Sequence, residues 1–156
     1  MVNAANPSLM GGGGVDGAIH SAGGPTILEQ CVEIRRTVYP GGLPTGEAVA
    51  TTGGDMKAQY VIHTVGPVWR GGRSGEEGLL RKAYLSCLRL AEEMELRSIA
   101  FPSISTGAYR YPVEKASRVA VGAVREFLKG GWSGEVLFVV FSEHDLGVYL
   151  EALMEA

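Results

Sequence analysis

An amide, a run of glycine and an acid share one stretch near the start of the chain: Asn6, then Gly11-Gly12-Gly13-Gly14, then Asp16. Consecutive glycines bring backbone N–H groups close to an anion without interference from Cβ, and a helix that begins just after them adds the positive end of its dipole. A flexible turn is the competing reading of such a run. Asp16 reads either as a solvated or helix-capping aspartate, or as a carboxylate that orients or activates a water beside a bound ribose. Asn6 in the same loop favours the second reading, because an amide can hydrogen-bond a sugar hydroxyl while it fixes the loop. A second polar loop, Ser103-Ile104-Ser105-Thr106-Gly107-Ala108-Tyr109, has a similar character. Two such loops facing each other would grip a diphosphate. Tyr109 and Phe141 sit where an aromatic ring stacks on a sugar or base, or packs at a rim.

Other chemistries find less support. Gly12, Gly14 and Gly17 match the dinucleotide pattern G-x-G-x-x-G, but Asn6, Pro7 and Ser8 separate them from any strand and no full βαβ unit follows. No G-K-[ST] follows the glycines, which excludes a phosphate loop of the NTPase kind. His20, His63 and His144 have no metal-ligand spacing, so neither a metal nor any other cofactor is expected. His63, inside an apolar strand, reads as a structural histidine, and His144 as a surface residue. Ser103 or Ser105 with His20 as base would make a nucleophile pair, but the loop is not G-x-S-x-G and offers no third member. Cys31 and Cys87 read as reduced, buried thiols.

The elements that must position these loops follow from periodicity. Residues 1–3 read as the end of a strand, and residues 15–20 as the entry to a short helix. Thr26, with Glu29 three residues on, is expected to form a capping box for a second helix, whose apolar positions are Ile27, Leu28, Cys31 and Ile34 and which ends before Pro40. Residues 47–52 and 59–65 are strand-length with turn residues Gly53-Gly54-Asp55 between them, which predicts an antiparallel pair. Leu79, Leu80, Ala83, Tyr84, Cys87, Leu88 and Ala91 mark one face of a long helix over about residues 75–95. A short strand at 98–101, a helix at 113–128, a nearly all-apolar strand at 135–141 and a helix at 145–154 complete the chain. Strand, helix, strand, helix is the mark of parallel crossover units, so the expected fold is α/β, with helices on both faces of a central sheet. In such sheets ligands bind beyond the carboxyl ends of the strands, where both polar loops fall.

Bulk properties narrow the class. The 156 residues and 46% hydrophobic content fit one domain. Apolar runs are far too short to cross a bilayer, and no basic-then-apolar leader opens the chain; a soluble, cytoplasmic protein is expected, without membrane contact. A formal charge of −3 without blocks of like charge argues against nonspecific nucleic-acid binding. Glycine accounts for 23 residues, about twice the usual share, and gathers in the loops.

With both loops in view, the sequence resembles the macrodomain family, specifically its MacroD branch. The segment Val2-Asn3-Ala4-Ala5-Asn6-Pro7-Ser8-Leu9-Met10-Gly11-Gly12-Gly13-Gly14-Val15-Asp16-Gly17-Ala18-Ile19-His20 is similar to that branch's first loop almost letter for letter, and Tyr60-Val61-Ile62-His63-Thr64-Val65-Gly66-Pro67 and Phe101-Pro102-Ser103-Ile104-Ser105-Thr106-Gly107 resemble its later signatures. The resemblance implies a three-layer α/β/α fold with a central mixed sheet, and an ADP-ribose site. Asn6 would hold the distal ribose, and Asp16 would position or activate the attacking water. Gly12, Gly13, Gly14 and Val15 on one side, and Ser103, Ser105, Thr106, Gly107 and Ala108 on the other, would enclose the diphosphate. Tyr109 would pack on the distal ribose and Phe141 on the adenine. The implied reaction is metal-independent hydrolysis of ADP-ribosyl esters, on acidic side chains or in O-acetyl-ADP-ribose; a module that binds ADP-ribose without turnover is the alternative, and an oxidoreductase a third.

Two departures from the family pattern stand out. The family has about two strands and a Gly-Asp-Ile segment ahead of the first motif, whose aspartate hydrogen-bonds the adenine amine. Residues 1–156 are therefore expected to form a single macrodomain without those strands, with apolar edge surface that a second copy would cover. The second loop carries Arg110 where the branch has glycine, a side chain that would narrow the distal pocket or lend it charge.

Overall fold

The computed structural model describes residues 1–155. Strand β1 (Val2–Ala4) runs parallel to β3 (Tyr60–Thr64), and β2 (Ala48–Thr52) pairs antiparallel with β3, giving the order β1-β3-β2. Strand β4 (Ser98–Phe101) pairs in parallel with β5 (Glu135–Phe138). β4 packs beside β1, but no ladder joins them, so the mixed sheet divides into a three-stranded and a two-stranded part.

Alternation along the strands decides which layer each residue enters. Val2, Ile62, Ile99 and Phe101 point to a core shared with α3 (Glu76–Glu93), α4 (Val113–Lys129) and α5 (Glu143–Met154). Val61 and Val65 point the other way, to a core shared with α1 (Gly14–Gly23) and α2 (Pro25–Thr37). Helices therefore cover both faces, as the strand-helix pattern implies. Leu80, Ala83, Tyr84, Cys87, Leu88 and Ala91 of α3 are fully buried along the face the spacing predicts.

Three local expectations are corrected. The capping box at Thr26 does not form: α2 begins at Pro25 with Gly24 as its N-cap, because proline is pre-set for the first helical turn and Gly24 takes φ 78°. Leu28 on that helix is exposed. The last strand stops at Phe138, well short of residue 141, and its residues alternate between exposed and half-buried. Beyond its pairing with β4, β5 has a free edge. Next to it Leu137 and Val139 are each 44% exposed, and α5 presents Leu146, Leu150 and Leu153 half-exposed. Between α4, β5 and α5 lies a groove of about 480 Å³ lined by apolar side chains and Arg125. Among the described residues, no helix is long and apolar enough to cross a membrane.

Candidate functional site

The first loop runs from the end of β1 to the start of α1, and Asn6 braces it from within. Its Nδ2 donates to Gly11 O at 2.9 Å, and its Oδ1 accepts from Ser8 N at 3.0 Å and from the Ser8 hydroxyl. This is the loop-fixing half of the role expected for Asn6, and it leaves a second amide hydrogen uncommitted. α1 begins at Gly14 with Gly13 as N-cap, so the backbone N–H groups of its first turn have no helical acceptor, and Gly14, Val15 and Asp16 of that turn line the cleft.

The second loop follows β4 and is anchored from behind by Tyr84 of α3. The Tyr84 hydroxyl donates to Pro102 O at 3.3 Å and accepts from Ile104 N at 3.2 Å. Burial pushes that phenol well above its ordinary pKa, which keeps it a neutral donor. Ser105 and Arg110 hold φ of 69° and 61°, and Leu9 in the first loop holds 61°. Three non-glycine residues in the left-handed region on two loops mark backbone held against its preference by the surrounding packing. Arg110 thus takes a left-handed backbone that favours glycine, and its exposed side chain does not line the cleft.

The loops face each other across a cleft of about 510 Å³. Asn6, Gly12, Gly13, Gly14, Val15 and Asp16 form one wall; Ser103, Ser105, Thr106, Gly107, Ala108 and Tyr109 form the other, and Phe141 stands at the rim, 80% exposed. The residues of both loops expected to enclose the ligand, with Phe141, therefore line one cleft, whereas Gly11, Gly17, His20 and Arg110 do not.

Asp16 lies at the base of the first wall, only 5% exposed. Its Oδ1 accepts from Asn3 Nδ2 at 2.8 Å and stands 3.5 Å from His20 Nε2, one helical turn on. That histidine nitrogen is buried and makes no hydrogen bond among the described residues. Oδ2 lies on the other side, beside Gly12 and Asn6: a Cβ added to Gly12 would stand 3.2 Å from Asp16 Oδ2 and 3.4 Å from Asn6 Nδ2. One carboxylate oxygen is thus tied to the interior while the other faces the cleft.

Sequence reasoning missed two participants. Asn3 is fully buried and reads as an ordinary strand residue until the fold sets it behind Asp16. Gly66 follows β3, and a Cβ there would lie 2.2 Å from Ser105 Oγ and 2.5 Å from Ile104 Cγ2; only the packing of two segments distant in sequence makes glycine necessary there. A serine nucleophile is not built: Ser103 Oγ is hydrogen-bonded to Tyr149 at 2.8 Å, and Ser105 Oγ has no partner among the described residues. His20, Cys31 and His63 place ligand-type atoms within 4.8 Å of one another. Both His63 ring nitrogens are already hydrogen-bonded, to Asn3 and Thr51, and burial pushes the Cys31 thiol up to about 11. His63 is thus committed to Asn3 and Thr51, with His20 and Cys31 packed beside it.

Comparison with known proteins agrees with this geometry. The Macro domain family model matches residues 2–120. A macro domain-containing protein of Caldanaerobacter subterraneus subsp. tengcongensis is 56% identical over 99% of this chain and 87% of its own length. The O-acetyl-ADP-ribose deacetylase of Escherichia coli is 50% identical over 99% of this chain and 87% of its own. The macrodomain of Oceanobacillus iheyensis, solved with ADP, superposes with a TM-score of 0.94 at 47% identity, covering 97% of this chain and 80% of that one. Two glycine-bearing loops beyond the strand ends, a half-sequestered aspartate between them and a family match over most of the length lead to one conclusion: the chain belongs to the macro domain family.

Proposed function

We propose that this chain binds ADP-ribose in the cleft and hydrolyses its esters, O-acetyl-ADP-ribose and ADP-ribosyl-glutamate or -aspartate on proteins, releasing ADP-ribose and the free acid. The observation that carries the reading is the divided environment of Asp16, whose Oδ1 is held by Asn3 while Oδ2 faces the cleft beside Asn6. A carboxylate so placed orients a water and takes its proton as the water attacks the ester carbonyl. The acyl C–O bond then breaks, the leaving ribose oxygen takes up the proton that Asp16 accepted from the water, and no bond to the protein forms.

The walls supply the rest. The N–H groups of Gly13, Gly14 and Val15, with those of Ser105 to Ala108, hold the diphosphate. Asn6 directs its free amide hydrogen to the distal ribose, Tyr109 packs on that sugar, and Phe141 offers its exposed ring to the adenine. The names of the E. coli relative and of the ADP-bound neighbour support the ligand class. The mechanism calls on no metal, so the rate is expected to be unchanged in chelator.

Calorimetric titration with ADP-ribose, with AMP as control, tests binding; release of acetate from O-acetyl-ADP-ribose by the chain and by Asp16→Ala tests turnover. ADP-ribose binding much tighter than AMP, with turnover reduced by about 10²- to 10⁴-fold in Asp16→Ala and binding largely kept, is the expected result. Binding without any turnover by the unaltered chain would make it a reader of ADP-ribose. No binding by a folded sample would end both readings.

A further inference from the structure

Behind Asp16 a line of hydrogen bonds crosses the sheet on the side covered by α1 and α2. Asn3 on β1 and His63 on β3 are register partners, and Thr51 comes from β2; all three are buried. Asn3 Nδ2 lies 2.8 Å from Asp16 Oδ1 and 3.1 Å from His63 Nδ1. His63 Nε2 lies 2.8 Å from Thr51 Oγ1, with Cys31 Sγ at 3.9 Å.

Only one arrangement of protons satisfies this line. The Asp16 carboxylate accepts and cannot donate, so it takes one hydrogen of the Asn3 amide. The other hydrogen points at His63 Nδ1, which must therefore be bare, and the ring proton sits on Nε2. Thr51 Oγ1 donates its own proton to Thr52 O at 3.0 Å, so its oxygen is free to accept from Nε2. Burial, and then the nearby His20, lower the His63 pKa to about 3, which keeps the ring neutral. Asn3 Oδ1 has no partner among the described residues. The amide orientation is thus fixed by its two hydrogens alone, and flipping it would set oxygen against oxygen at Asp16.

We propose that His63 is a positioning residue for ester hydrolysis: its bare Nδ1 holds the Asn3 amide so that Asn3 keeps Asp16 Oδ1 bound and Oδ2 turned to the cleft. The proposal rests on the hydrolase reading above. Nothing in it requires His63 to touch substrate, so the effect falls on turnover and not on ligand affinity. Thr51 selects the tautomer, because a buried Nε2–H that loses its acceptor favours the other tautomer, which puts a hydrogen where Asn3 already donates.

The experiment is steady-state kinetics on O-acetyl-ADP-ribose with the unaltered chain, His63→Leu, His63→Asn and Thr51→Val, each checked for folding by circular dichroism and for ADP-ribose affinity by calorimetry. His63→Leu is expected to lower kcat by about 100-fold, the scale of a small displacement of a reacting group, with KM and ADP-ribose affinity unchanged. His63→Asn, whose Oδ1 stands in for Nδ1, is expected to recover most of that loss. Thr51→Val should lower kcat by about fivefold, the scale of one neutral hydrogen bond. A folded His63→Leu with full kcat overturns the proposal, as does a loss matched by equal weakening of ADP-ribose binding. If His63→Leu does not fold, the other two variants decide: Thr51→Val lowered and His63→Asn well above it supports the proposal, and any other order overturns it. An inactive unaltered chain sinks the hydrolase reading itself and this proposal with it, whereas an active one confines any failure to His63.

Discussion

The three-stranded and two-stranded parts of the sheet treat polarity in opposite ways. Behind the first loop, Asn3, Thr51, His63 and Thr64 are buried, and Asp16 is buried except where it reaches the cleft. Along β5 and α5, by contrast, Leu137, Val139, Leu146, Leu150 and Leu153 stand open to it. Burying polar groups costs free energy unless each is hydrogen-bonded; here Asn3 Nδ2, Asp16 Oδ1, both His63 ring nitrogens and Thr51 Oγ1 are paired, while Asn3 Oδ1 and the neighbouring His20 Nε2 have no hydrogen-bond partner among the described residues. The return on that arrangement is orientation: a carboxylate fixed on one oxygen and available on the other. The apolar edge shows no comparable fixing. It is a free strand edge beside a greasy groove, the kind of surface a folded chain ordinarily covers by pairing.

Three variants would break or sharpen this contrast. Gly66→Val should have the largest effect on stability, because its side chain must displace Ser105 and Ile104 from a close backbone approach. A loss of about 2–3 kcal/mol in denaturant unfolding is expected, on the scale of core overpacking; a loss below 0.5 kcal/mol would mean that the two segments are not held together as tightly as their spacing indicates.

Acid should act next, through the sealed region. Because the folded His63 pKa is lowered to about 3 from 6.5, the unfolded chain binds a proton that the native one refuses. Stability from this group is complete above pH 6.5 and falls, by up to about 1.4 kcal/mol per pH unit, as pH drops toward 3. Glu76 adds a separate limb at lower pH. Its buried carboxylate accepts from the N–H groups of Arg70, Gly72 and Ser74, and these bonds, that of Arg70 foremost, lower its pKa to about 2. That contribution is present above pH 4.5 and lost as pH falls through 2. Urea midpoints from pH 7 to 4 are expected to slope less steeply in His63→Asn than in the unaltered chain; identical slopes would remove His63 from the account of acid stability.

The smallest change in stability is expected at the open edge. Val139→Lys, on a half-exposed position beside β5, should shift unfolding free energy by less than about 0.5 kcal/mol. If a second copy covers this edge, as the exposed apolar strip leads one to expect, sedimentation of the unaltered chain shows association that Val139→Lys reduces. A monomeric chain at all concentrations would leave the contrast as one of surface character alone.

The sequence by itself determined the two cleft walls, because their chemistry is local. Glycine runs, Asn6 and Asp16 lie within a dozen residues of one another, and the loop at 103–109 follows a short apolar strand, so composition and spacing point to an anion-binding cleft at the strand ends. It also determined the layering, since the strand-helix-strand-helix order after residue 98 and the helical spacing in residues 79–91 call for helices packed against a sheet. It did not determine the start of α2, where Pro25 and Gly24 outweigh the Thr26 cap, nor the early end of β5, whose apolar run lacks a neighbour to pair with. Asn3, His63 and Thr51 gain their meaning only from tertiary structure. They are far apart in the chain, Asn3 and Thr51 alone are ordinary strand residues and His63 alone reads only as a structural histidine, and a hydrogen-bond line exists only once three strands are in register and α1 has laid Asp16 over them. Gly66 belongs with these, because close approach is a property of two segments and cannot be read from one.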